Sequence, residues 1–154
     1  MAHDVFISHS ARDKQYADAI CARLESRGVS CWIAPRDIAP GMEWAAAILH
    51  AINGARVMLL VFSSQANNSP QISREVERAV HKGLIVLPVR VENVMPSGNL
   101  EYFLGTPHWL DAITPPFEKH LDHIADSTGS GSNALRTNQR QPSVPILSKW
   151  MPRL

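Results

Sequence analysis

An α/β fold, a parallel sheet with helices on both faces, is what this sequence predicts, and three observations predict it. Apolar runs of strand length alternate with segments of ten to fifteen residues whose apolar side chains recur at helical spacing. The run "ARVMLLVFS" is apolar at nearly every position, as a strand covered on both faces must be. The chain has 154 residues, 45% of them hydrophobic, which is enough for one domain with a real core.

The elements follow in order. "DVFIS" reads as a buried strand running into polar residues. Ser10 and Asp13 have the spacing of a capping box. The helix they open carries Ala17, Ile20, Cys21 and Leu24 at i, i+3, i+4 and i+7, and Gly28 ends it. "VSCWIA" is the second strand and "PRDIAPG" a loop rich in Pro and Gly. "MEWAAAILHAI" is a helix with Trp44, Ile48 and Ile52 on one face, and "ARVMLLVFS" is the third strand. In the next helix Ser69 is the N-cap, Pro70 takes the first helical position and Gly83 closes it. The strand "LIVLPVRV", an irregular stretch, the short "HWLDA" and an amphipathic helix near "FEKHLDHIAD" complete the domain at about residue 126. Residues 127–154 open on a Ser-, Gly- and Asn-rich stretch and read as a flexible linker and tail.

Composition excludes several classes. A net charge of +1 offers no basic footprint for nucleic acid. No apolar stretch approaches the length of a membrane span, and the N-terminus lacks the basic start and apolar run of a secretory signal, so a cytoplasmic protein is expected. Cys21 falls in a helical pattern and Cys31 in a strand pattern, which suits buried thiols rather than a disulfide. There is no GxGxxG after a strand, no Walker loop and no GxSxG elbow. His120 and His123 lie three apart on a helix without further ligands, so no metal site is expected.

In a parallel α/β sheet, ligands bind beyond the carboxyl ends of the strands. That edge consists of "SHSARD", "APRDIAPG", "SSQANNSP" and the loop after "LPVRVE". One helix there raises a question of its own. Ile72, Val76, Ala79 and Val80 make its buried stripe, and Glu75 and Glu77 each sit roughly 100° from the stripe's centre, one on either flank. Geometry alone does not choose a working carboxylate between them.

The order and spacing of "HDVFISHSARDKQYADAICARLESRGVSCWIAPRDIAPGMEW", "LLVFSSQANNSPQISREVERAVHKGLIVLPVRVE" and "HWLDA" closely resemble a bacterial Toll/interleukin receptor (TIR) domain over about residues 3–126. The resemblance implies a three-layer, flavodoxin-like fold with a central five-stranded parallel sheet, and identifies "PRDIAPG", Pro35 to Gly41, as the BB loop. It implies cleavage of NAD at its nicotinamide glycosidic bond, with NAD as substrate and no cofactor, and homotypic association with other TIR domains through that loop. The setting it implies is bacterial immune defence. The alternative it leaves is a non-catalytic TIR–TIR interaction scaffold. A nucleoside deoxyribosyltransferase-like enzyme also uses a Glu on a related sheet, but the BB-loop motif argues against it.

The family's catalytic glutamate lies six residues after a Ser in the third helix, which selects Glu75; Glu77, with Arg74 and His81 in helical reach, then reads as a surface ion-pair partner. Where many relatives carry Trp-Cys four and three residues before the glutamate, this chain has Gln71 and Ile72. The residues expected against NAD are Ser8, His9 and Ser10 at the end of the first strand, Trp32 at the end of the second, Gln71, Arg36 as a phosphate ligand, and Asp37 beside it. Gly41 is expected to give the loop its backbone freedom, and Asp111 to be structural.

Overall fold

The computed structural model describes residues 3–104 and 109–128. Its strands are β1 (Val5–Ser8), β2 (Cys31–Ile33), β3 (Val57–Phe62), β4 (Ile85–Arg90) and β5 (Leu110–Asp111). All neighbouring pairs are parallel, in the order β2-β1-β3-β4-β5. This is the expected flavodoxin-like sheet. The chain leaves β1 for β2 on one side and returns to β3 on the other, so the strand order reverses at β1.

The helices are α1 (Lys14–Ser26), α2 (Trp44–Gly54), α3 (Ser64–Asn67), α4 (Pro70–His81), α5 (Gly98–Leu104) and α6, over 121–128. Alternation along the strands sorts them into two layers. Val5, Ile7, Val57, Leu59 and Val61 face α1 and α6. Phe6, Met58, Leu60 and Phe62 face α2, α4 and α5. All six residues of β3 are buried, as its unbroken apolar run requires.

The stripe of α1 buries the four expected residues, Ala17, Ile20, Cys21 and Leu24, and Gly28 adopts φ +80° after the helix. In α4 the Ser69 hydroxyl accepts from the Ile72 amide at 3.2 Å, and Pro70 follows at the start of the helix. Cys21 and Cys31 are buried free thiols. The helix α6 runs two residues past the expected linker boundary, with Thr128 buried. The rest of that linker and tail, 129–154, lies outside the described residues, as does His108 of "HWLDA". Among the described residues, no helix is long and apolar enough to cross a membrane.

Two local expectations are corrected. Ser10 and Asp13 form no capping box: the Ser10 hydroxyl donates to the Asp13 carboxylate at 2.9 Å instead of capping a backbone amide. Asp13 is turned inward because the Ser63 hydroxyl, at the end of β3, also donates to it. In α2 the buried residues are Ala47, Ala51 and Ile52, whereas Trp44 is 55% exposed and Ile48 half-buried. Ala47, Ala51 and Ile52 sink into the core, which leaves Trp44 and Ile48 at the margin of the groove between α2 and α4.

Candidate active site

Ser8 is the last residue of β1 and shares a face with Phe6, so its side chain points into the layer that holds α4. There its hydroxyl donates to Oε1 of Glu75 at 2.8 Å. One helical turn before Glu75, the Gln71 side-chain amide donates to Oε2 at 3.0 Å. Glu75 is only 8% exposed. Burial pushes its carboxyl up from the ordinary value, against the hydrogen bonds from Gln71 and Ser8 and then the fields of His9 and Arg74, which favour the anion. Glu77 is exposed and, among the described residues, forms the expected ion pair with neither Arg74 nor His81. Arg74 instead lines a cavity beside Glu75.

Two cavities meet at Glu75, and Trp44, Ile48 and Gln71 line both. The larger, about 380 Å³, runs along the groove between α2 and α4, and Arg74 and Arg78 form part of its wall. The smaller, about 170 Å³, is closed by Phe6, His9, Trp32 and Pro35. Trp32 is buried and stacks on Phe6 with ring centroids 5.1 Å apart, so it is a core side chain and a cavity wall at once. His9 ties the loop after β1 to the start of the next loop. Its Nδ1 lies 2.8 Å from the Ser10 carbonyl and its Nε2 3.1 Å from the Ala34 carbonyl.

The site thus gathers Ser8, His9, Trp32, Gln71 and Glu75, and leaves the remaining three expected residues away from both cavities. Ser10 serves Asp13, as described. Arg36 turns to α1, where its guanidinium donates to both oxygens of Glu25 at 2.9 and 2.8 Å. Asp37 accepts from the Ile33 amide at 2.9 Å and from Arg36, fixing the root of the loop. His120 lies 2.7 Å from the Thr114 carbonyl through Nε2, far from a metal-ligand arrangement. Among the described residues no cluster of metal-ligating side chains is present. Because the Arg36 network is about half exposed, solvent screens it. Replacing Arg36 with Ala should lower unfolding stability by about 1 kcal/mol at most, measured by urea denaturation, with the Asp37–Ile33 contact retained.

Sequence reading missed Trp44, Arg74 and Arg78 as site residues. A signal for the arginines was present: they stand at i and i+4 on one helix, flanking Glu75 at −1 and +3.

The sequence profile of the TIR domain family matches residues 5–125. The chain belongs to the TIR domain family. The TIR fold recurs in solved structures of low sequence identity. The TIR domain of the Toll-related receptor TRR-2 from Hydra magnipapillata is 20% identical, with a TM-score of 0.66 over 81% of this chain and 99% of that one. A metazoan TIR-STING receptor from C. gigas, in complex with 2',3'-cGAMP, is 24% identical with a TM-score of 0.66. That match covers 82% of this chain but 39% of the receptor. The TIR domains of the activated Roq1 resistosome, which directly recognizes the pathogen effector XopQ, are 18% identical with a TM-score of 0.56, covering 86% and 84%. No curated protein matches the chain in sequence.

Proposed function

We propose that this TIR domain is an NAD glycohydrolase in which Glu75 is the catalytic carboxylate. Water replaces nicotinamide on the ribose carbon, giving ADP-ribose, nicotinamide and a proton; attack by an adenine nitrogen gives a cyclised ADP-ribose instead. The observation that carries the reading is the position of Glu75: a buried carboxylate at the end of β1, oriented by Ser8 and Gln71, at the junction of two cavities.

One carboxylate is chemically sufficient. Most glycosidases need a second carboxyl group to protonate the leaving oxygen. Nicotinamide leaves a pyridinium as a neutral ring and needs no proton. What remains is to stabilise positive charge on the ribose carbon, which an anion does best where water is scarce. Ser8 and Gln71 hold the carboxylate in one orientation, so little reorganisation accompanies charge development. His9 and Trp32 shape the smaller cavity. The proposed setting is the bacterial cytoplasm, where NAD depletion halts an infected cell.

Self-association with other TIR domains is part of the proposal. Met42, just after the loop from Pro35 to Gly41, and Trp44 and Leu49, which line the larger cavity, are exposed apolar side chains. The same surface supports the second reading, an interaction scaffold with no catalysis. The test is nicotinamide release from NAD by the full chain at high concentration, beside Glu75→Gln and Glu77→Gln. Release lost with Glu75→Gln alone supports the enzyme. No release from the unaltered chain, even when tethered into assemblies, supports the scaffold.

A further inference from the structure

We propose that the groove between α2 and α4 is an anion site for a pyrophosphate diester, held by Arg74 and Arg78, so that the ligand runs from Glu75 along α4 with its phosphates in the larger cavity. This rests on the reading of Glu75 as the group facing the scissile ribose.

Charge pattern and place together mark these two arginines: Arg12 and Arg56 also lack a salt bridge among the described residues, but they line neither cavity. Arg23, Arg27, Arg36 and Arg90 each hold a carboxylate at salt-bridge distance. Arg74 and Arg78 hold none among the described residues, yet both line the cavity of about 380 Å³. Nε of Arg78 is moreover a buried side-chain nitrogen with no hydrogen-bond partner among the described residues. A buried donor left unsatisfied is costly, and turning the Arg78 side chain toward an anion in the adjoining cavity supplies the missing acceptor. Two arginines at i and i+4, about one helical turn apart on the same face of α4, suit two linked phosphoryl groups better than one carboxylate.

Repulsion fixes the direction of the ligand. Before cleavage the nicotinamide ring is a cationic pyridinium, which two arginines repel. The smaller cavity, which no arginine or lysine lines, is the better place for it. Glu75 stands where the two cavities meet, so a ribose there has its base on one side and its 5′-phosphate on the other.

The experiment uses ADP-ribose, which carries the pyrophosphate but no scissile bond, and therefore reads binding without catalysis. Titrated into the ¹⁵N-labelled full chain, it should shift the Nε–H resonances of Arg74 and Arg78 saturably. Arg74→Gln/Arg78→Gln should weaken ADP-ribose binding on the order of tenfold per lost charge-assisted contact, with an unchanged backbone amide spectrum. In NAD cleavage the same variant should raise KM much more than it lowers kcat, and Arg74→Lys/Arg78→Lys should recover part of the affinity. Full-strength ADP-ribose binding by the Gln variant overturns the assignment while leaving the NAD reading intact. So does binding to the unaltered chain that leaves both arginine resonances unmoved, or no binding at millimolar ADP-ribose. Failure of the NAD reading is seen separately, as absent nicotinamide release.

Discussion

Glu75→Gln should reduce nicotinamide release roughly 10²- to 10³-fold, the usual cost of removing one preorganised electrostatic contact to a transition state. The substitution keeps the shape of the side chain. Ser8 donates to Oε1 as before, and the Gln71 amide can turn its oxygen toward the new amide nitrogen, so packing is retained. Only the negative charge is lost. Glu77→Gln, on the exposed side of α4, should stay within about twofold of the unaltered chain, a change too small for a transition-state contact. Equal losses in the two variants would sink the assignment of Glu75.

The same variant should be more stable than the unaltered chain at neutral pH. Burial raises the Glu75 carboxyl above its unfolded value, so the folded state binds that proton more tightly than the unfolded state does. The stability this group contributes is therefore fully present below the unfolded value of 4.5 and is lost as pH rises through the raised folded value. Above pH 4.5 the folded state must either bury the carboxylate charge or hold a proton that the unfolded state has released. Removing the carboxyl group should add on the order of 1 kcal/mol, about 3–5 °C in a thermal unfolding scan. The gain should shrink as the pH of the scan falls toward 4.5. A Glu75→Gln variant less stable than its parent at neutral pH would show that hydrogen bonding to the anion outweighs its desolvation.

Where one periodicity and one burial requirement coincide, the sequence was legible. The stripe of α1, the continuous burial of β3 and the Ser69 cap of α4 each follow from a local rule, and each holds in the structure. The register of Glu75 needed the resemblance, because Glu75 and Glu77 are equivalent by helical angle. What separates them is tertiary: Ser8 ends β1 on the α4 side and meets one flank of the stripe only. Arg36 lies away from both cavities for a related reason. Its guanidinium suits a phosphate, but Glu25 on α1 competes for it across eleven residues, a contact no local pattern encodes. The row Trp44, Ile48 and Ile52 is a true helical stripe that lines the larger cavity, yet only Ile52 is fully buried, beside Ala47 and Ala51. Arg74 and Arg78 look like a solvated face in sequence. Only the apolar wall opposite, on α2, makes a cavity of them.

The acid limb of the pH–rate profile should be set by Glu75 and should move in a defined direction when its donors are removed. The proposed reaction needs the carboxylate, so kcat/KM for NAD should rise with pH through the raised Glu75 value and then level off, with a midpoint above the ordinary 4.5. Gln71 is the larger of the two hydrogen-bonding influences that favour the anion, and Ser8 the next. Gln71→Leu should therefore shift the limb to higher pH, Ser8→Ala should shift it less, and the double variant should shift it furthest. On the limb the Gln71→Leu rate should fall severalfold, whereas on the plateau, where the carboxylate is ionised regardless, the loss should be small. This also separates two roles for a residue that stands where many relatives have an aromatic. If Gln71 acts through Glu75, the limb moves and the plateau holds. If it acts by direct contact with the nicotinamide ring, Gln71→Leu lowers the plateau and leaves the limb in place.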